Sequence, residues 1–121
     1  MFAMLFTNAV VSLSSGALVT FDNIGMFESV QLDPDVSVVA FGVVEDTRCR
    51  DVELCFEDNR LIIAVLVTDG TDRKGYELEL GQPLELANGS LELTGTSTPA
   101  TGRWATDFKK YRLDFTYRAK R

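Results

Sequence analysis

Alternation of apolar and polar residues most narrows the folds open to this chain, because a period of two belongs to strands with one buried face. Tyr76, Leu78 and Leu80 alternate with Glu77 and Glu79, Leu84 and Leu86 flank Glu85, and Leu91 and Leu93 flank Glu92. Further on, Tyr111, Leu113, Phe115 and Tyr117 alternate with Arg112, Asp114, Thr116 and Arg118. Ala87-Asn88-Gly89-Ser90 separates two of these segments. Its Asn-Gly pair predicts a hairpin whose two central residues take φ > 0.

Two segments are apolar on both faces, Val36–Val44 and Leu61–Val67. Both read as strands with two apolar faces, so the second is expected at the centre of a sheet with cover on both sides. Gly42 suggests a bulge or close packing. Asp33-Pro34-Asp35 is a turn closing a strand over 26–32, and Asp69–Lys74 reads as a hairpin loop. Ser14-Ser15-Gly16 separates the apolar stretches Met1–Leu13 and Gly16–Phe21. Met1–Leu13 is the one stretch that admits a helix, since no segment carries a 3.6-residue stripe over a dozen positions. About eight short strands predict a single all-β domain over 1–121, an antiparallel β-sandwich or a small β-barrel. A chain of 121 residues, 45% hydrophobic and 25% charged, can bury one core of its own.

Absences limit the chemistry. The sequence has no histidine, which removes Ser-His-Asp and Cys-His machinery and most zinc sites. Two cysteines do not make a four-cysteine metal centre, and no glycine-rich phosphate loop follows a strand. No catalytic residue, resident metal or cofactor is therefore assigned. A net charge of −6 argues against nucleic acid as a partner. Six of the twelve basic residues nonetheless fall between Lys109 and Arg121. They read as the solvent face of an edge strand, with an acidic partner as the alternative. The opening MFAMLFTNAVVSLSSGA has no basic residue before its apolar stretch and is too short to cross a bilayer. On that reading no membrane span is expected, and the location is cytoplasmic unless a disulfide points to a secreted or periplasmic one.

Cys49 and Cys55 lie in a charged loop that runs directly into the apolar segment Leu61–Val67. A redox pair would draw on Arg48 and Arg50 to lower a thiol pKa, but Asp46, Asp51 and Glu53 oppose that shift and the CxxC spacing is absent. The expectation is a structural disulfide that pins the loop, contributing about 2 kcal/mol on the chain-entropy account.

Glu45-Asp46-Thr47-Arg48-Cys49, then Val52 and Cys55-Phe56 ahead of an apolar strand, resembles a motif of small secreted bacterial β domains, many of the lipoprotein type. Their pattern is Asp-Ser-Arg-Cys-Pro followed by Val-x-Cys-Val-Trp. The segment GYELELGQPLELANGSLELTGTSTP is similar to their closing hairpins, so the resemblance spans Val43 to Tyr117. Arg50 stands at the proline position, Phe56 near the tryptophan position, and no lipobox precedes the motif. The resemblance implies a bacterial all-β domain and brings no activity with it.

Among the carboxylates, Glu57-Asp58-Asn59 and Asp69-Gly70-Thr71-Asp72 are held apart by the extended apolar strand between them. Asp69 and Asp72 offer hard oxygen ligands for Ca²⁺ if other loops join them, although a hairpin using Asp and Gly for backbone reasons accounts for the same residues. Trp104, with Phe108 and Tyr111 nearby, is the candidate ligand- or protein-binding platform, against a role in capping the core. Phe2, Phe6, Phe21, Phe27 and Phe41 read as core. The first 44 residues carry little charge, which points to self-association. The expected function is a non-catalytic binding or interaction module, a homo-oligomer with a small-molecule or protein ligand. The alternative is a ligand-holding β-barrel or a carboxylate-dependent hydrolase.

Overall fold

The apolar run at 61–67 lies inside a sheet, with a strand hydrogen-bonded on either side. A computed structural model of the chain describes residues 17–48, 59–98 and 108–120. The strands are β1 (Leu18–Gly25), β2 (Ser29–Asp33), β3 (Val36–Asp46), β4 (Leu61–Asp69), β5 (Asp72–Glu79), β6 (Leu84–Glu85), β7 (Gly89–Thr96) and β8 (Arg112–Ala119). A 3-10 turn at Phe108–Lys110 leads into β8. They form two four-stranded sheets, β1-β8-β7-β6 and β2-β3-β4-β5, with every pairing antiparallel. The fold is an all-β sandwich and not a closed barrel.

Alternation sets the inner faces. Val38, Ala40, Ile63, Val65 and Leu78 of one sheet and Leu91, Leu93, Leu113 and Phe115 of the other are almost wholly buried. Crossing between sheets occurs twice, at residues 26–28 and 80–83. At the second crossing Gly81 takes φ 84, and its N–H donates to the Leu93 carbonyl of β7.

Four expectations need correction. β8 is not an edge strand, since β1 and β7 flank it, although its Arg112, Asp114, Thr116 and Arg118 do lie on the solvent face. β4 is central but only partly covered on its outer side, where Ile62 is buried while Ala64 and Leu66 are half-exposed. Phe27 and Phe41 are 58% and 45% exposed rather than core. The Asn88-Gly89 hairpin forms, but neither residue takes φ > 0. Gly89 is glycine for room instead. A Cβ there would lie 2.7 Å from the Arg118 carbonyl oxygen and closer still to the end of the Tyr117 ring.

Gly42 marks a bulge as expected. β3 slips register against β4 on either side of Phe41 and again of Val44, so each is the extra residue of its bulge. The 69–72 hairpin also forms, with Asp69 paired to Asp72 around Gly70 at φ 63. That conformation favours glycine at the first central position of a two-residue loop.

Candidate functional site

The two ends of the sandwich differ chemically. One end gathers the finish of β3, the start of β4, the finish of β7 and the start of β8. There Asp46 and Arg48, from the Glu45–Cys49 motif, form a bidentate ion pair, with Nε to Oδ1 at 2.8 Å and Nη2 to Oδ2 at 2.9 Å. Tyr111 donates its hydroxyl to the same carboxylate, and Arg48 Nη1 donates to the Thr98 carbonyl at 2.8 Å. Thr98 in turn accepts from the Arg112 N–H through its hydroxyl at 2.9 Å. Strands of both sheets meet in this cluster, so it ties them together.

Burial opposes ionisation of Asp46, but the hydrogen bonds from Arg48 and Tyr111 outweigh it and hold the carboxyl below its ordinary range. The Asp46 hydrogen bond raises Arg48 further. Burial first, and then Asp46, push the Tyr111 hydroxyl up to about 12. With the Arg48 and Asp46 side chains 13% and 7% exposed and Tyr111 1%, the cluster presents little surface to a ligand among the described residues. Beside it, the Thr47 N–H donates to the Arg60 carbonyl at 2.8 Å and closes the neck of the β3–β4 loop. That loop carries Cys49 and Cys55, which lie outside the described residues, as do Glu57, Asp58, Trp104, Phe2 and Phe6.

At the opposite end a cleft of about 200 Å³ opens between the β4–β5 hairpin and the β6–β7 turn. Val36, Val67 and Leu86 form its floor, and Tyr76 and Tyr117 its aromatic walls. Asp69, Asp72, Lys74 and Asn88 stand around the mouth. Tyr117 donates its hydroxyl to Asp33 Oδ2 at 3.2 Å, a second tie between the sheets. Burial and the Asp33 charge push that hydroxyl up to about 12, so it remains a donor at neutral pH. Asn88 Nδ2 donates to Asp69 Oδ2 at 3.0 Å, and the Lys74 ammonium lies 5.5 Å from the Tyr76 ring centre. Asp69 and Asp72 do converge, but among the described residues no group of three or more acidic or sulfur ligands is placed to hold a metal ion.

A third feature is an exposed apolar surface. Phe108 is 37% exposed and meets Phe27 edge to face, with ring centres 5.8 Å apart. Phe27 is held at φ 66, an uncommon conformation for a bulky residue, and its N–H donates to the Ala40 carbonyl. That pairing places it beside the bulged Phe41. The outer face of β3–β4 continues the surface through Val39, Ala64 and Leu66, all half-exposed, and Val44 is exposed. Of the aromatic trio expected to bind, Phe108 is at the surface and Tyr111 is in the core. Phe41 escapes sequence reasoning because an aromatic in a Val-rich segment reads as core until the bulge is known, and Phe27 because it lies in the turn between two strands at positive φ.

No helix among the described residues is long and apolar enough to cross a membrane. Comparison with protein-family models, with curated proteins and with solved structures finds no match.

Proposed function

We propose that the protein is a non-catalytic interaction module that associates with a second copy of itself through the outer face of the β2-β3-β4-β5 sheet. The observation that carries this is the contrast between the two outer faces. On the β1-β8-β7-β6 sheet the outer positions include Thr20, Glu92, Thr94, Arg112, Asp114, Thr116 and Arg118, a solvated surface on which one large apolar side chain, Leu18 at 52% exposure, stands beside Arg118 on the edge strand. On the other sheet the centre is apolar, and two bulges expose Phe41 and Val44. Large side chains at 45% and 48% exposure on one contiguous face mark an interaction surface.

A second copy is the partner that the charges suit. Arg73 and Glu77 are exposed on the outer side of β5, one on each side of Gly75. A two-fold axis that laid two such faces together would bring each Arg73 towards the partner's Glu77, as a self-complementary interface requires. Phe41→Glu and Val44→Glu are the tests, read by size-exclusion chromatography with light scattering. A dimer in the native protein and a monomer in both variants is the expected result. A native monomer at every concentration from micromolar to millimolar overturns the proposal.

A second reading, the ligand holder, is supported by the cleft at the other end, with its apolar floor and two tyrosines. The hydrolase reading is weaker. Asp69 and Asp72 are directly opposed on neighbouring strands, so they present one joint anionic point rather than two carboxylates flanking a scissile bond. The resemblance of the 45–56 motif to secreted bacterial domains, and the closed neck of the loop at Thr47–Arg60, support a Cys49–Cys55 disulfide as a staple. Two titratable thiols in the protein purified without reductant would remove that proposal.

A further inference from the structure

The cleft between the β4–β5 hairpin and the β6–β7 turn, taken as a ligand site, carries a more specific inference. We infer that it binds a small organic cation, an ammonium group carried on an aromatic or aliphatic body. Three observations converge. First, Asp69 and Asp72 are direct cross-strand partners, an arrangement that is destabilising for like charges when nothing lies between them. Among the described residues no ion pair neutralises either one; Asp69 has only the neutral amide of Asn88. Second, the charge around the site is negative. Asp33 stands behind Tyr117, and the two mouth carboxylates add to it. Of the nearby cations, Lys74 sits at the Tyr76 ring, and Lys120 is engaged by the Leu86 carbonyl at 3.0 Å and by Glu85 at 3.5 Å.

Third, the interior of the cleft fits the remainder of such a ligand. Val36, Val67 and Leu86 give the cleft an apolar floor that is almost wholly buried, and the half-buried Tyr76 ring offers the aromatic surface, with Tyr117 only 1% exposed behind it. About 200 Å³ suits a body of phenylethyl size. The carboxylates at the mouth then receive the ammonium while it keeps contact with solvent, so no charge is fully desolvated.

Three probes of one shape separate the class of ligand from the existence of the site: 2-phenylethylamine, 2-phenylethanol and 3-phenylpropionate. Binding to the full chain is followed by amide shifts of residues 69–76, 86–88 and 117–119 in ¹H–¹⁵N spectra. The expected result is that the amine binds about tenfold more tightly than the alcohol, as one charge-assisted contact at a partly solvated site would give. The carboxylate should be weakest. In Asp69→Asn/Asp72→Asn, whose changes lie at the mouth rather than in the core, the amine should fall to the level of the alcohol. If the alcohol or carboxylate binds as well as the amine, the site stands and the cation inference fails. If none of the three shifts these amides at millimolar concentration, the ligand-site reading itself fails. Calcium chloride is the fourth probe. Saturable shifts at Asp69 and Asp72 that the amine does not displace would assign the carboxylates to a hard divalent cation and overturn the inference.

Discussion

Asp46 is the residue on which the most depends. Its carboxylate accepts from Arg48 and Tyr111 together, and its side chain is 7% exposed. Removing one partner of a buried pair strands the other, so Asp46→Ala should destabilise by about 3–5 kcal/mol in urea unfolding. Its pH dependence has a definite sign. The folded-state pKa of Asp46 is depressed, so its contribution is complete above the ordinary carboxyl value of about 4 and is lost as pH falls through the folded value. Tyr111 and Tyr117 are both pushed up to about 12. Their contribution is complete below the ordinary phenol value of about 10 and declines as pH rises from there. Urea midpoints measured across pH should therefore show a plateau with an acid and an alkaline limb. Asp46→Asn should flatten the acid limb and reduce the Tyr111 share of the alkaline limb, leaving that of Tyr117; an unchanged acid limb would mean that other carboxylates govern it.

Two glycines separate what neighbouring sequence can say about an element from what it cannot. Gly42 lies in the first bulge of β3, and a Cβ there would meet nothing nearer than the Ala64 methyl at 3.9 Å. Gly42→Ala should be neutral, or stabilising by about 0.4–1 kcal/mol through the unfolded chain. Gly89→Ala should instead destabilise clearly, because Tyr117 and the Arg118 carbonyl already occupy the space. It should also disturb the cleft that Tyr117 lines, seen as amide shifts at 69–76 in the folded fraction. Thermal unfolding of the two variants side by side checks the contrast, and equal effects would refute it. The Asn-Gly pair at 88–89 does mark the turn, but the reason for glycine comes from β8, which a rule about adjacent residues does not see. Phe41 is misread for a related cause, whereas Phe27 lies in the crossing at 26–28, outside any strand. Period two assigns faces only while register holds, and the slip around Phe41 changes which side a residue takes. Where register is unbroken, as between β4 and β5, alternation in the sequence gives the buried face directly.

For the whole molecule, sequence reasoning reaches the all-β class, with sandwich and barrel both open, and the central place of β4. The pairing of strands into sheets, and therefore the cleft, depends on crossings at 26–28 and 80–83 that carry no local signature beyond Gly81. The Asp46–Arg48–Tyr111 cluster is half visible, since the motif supplies two members in one stretch while the third stands far along the chain. The topology orders the local stabilities. β3, β4, β7 and β8 are paired on both sides, whereas β1, β2, β5 and β6 are edges. Native-state hydrogen exchange should be slowest in β4 and β8 and fastest in the two-residue β6 and at Leu18–Val19 of β1. Fast exchange throughout β8 would contradict the pairing.

The two tyrosine ties between the sheets start from one strip of chain. Tyr111, immediately before β8, reaches Asp46 at one end, and Tyr117, within β8, reaches Asp33 at the other. Two fasteners on a single lath resist sliding of one plate over the other, since a slip of one rung shears both. They give no protection against peeling. Lifting that lath releases both tyrosine fasteners together, and the hydrogen bonds Arg48–Thr98 and Asn88–Asp69 are then left to hold the plates.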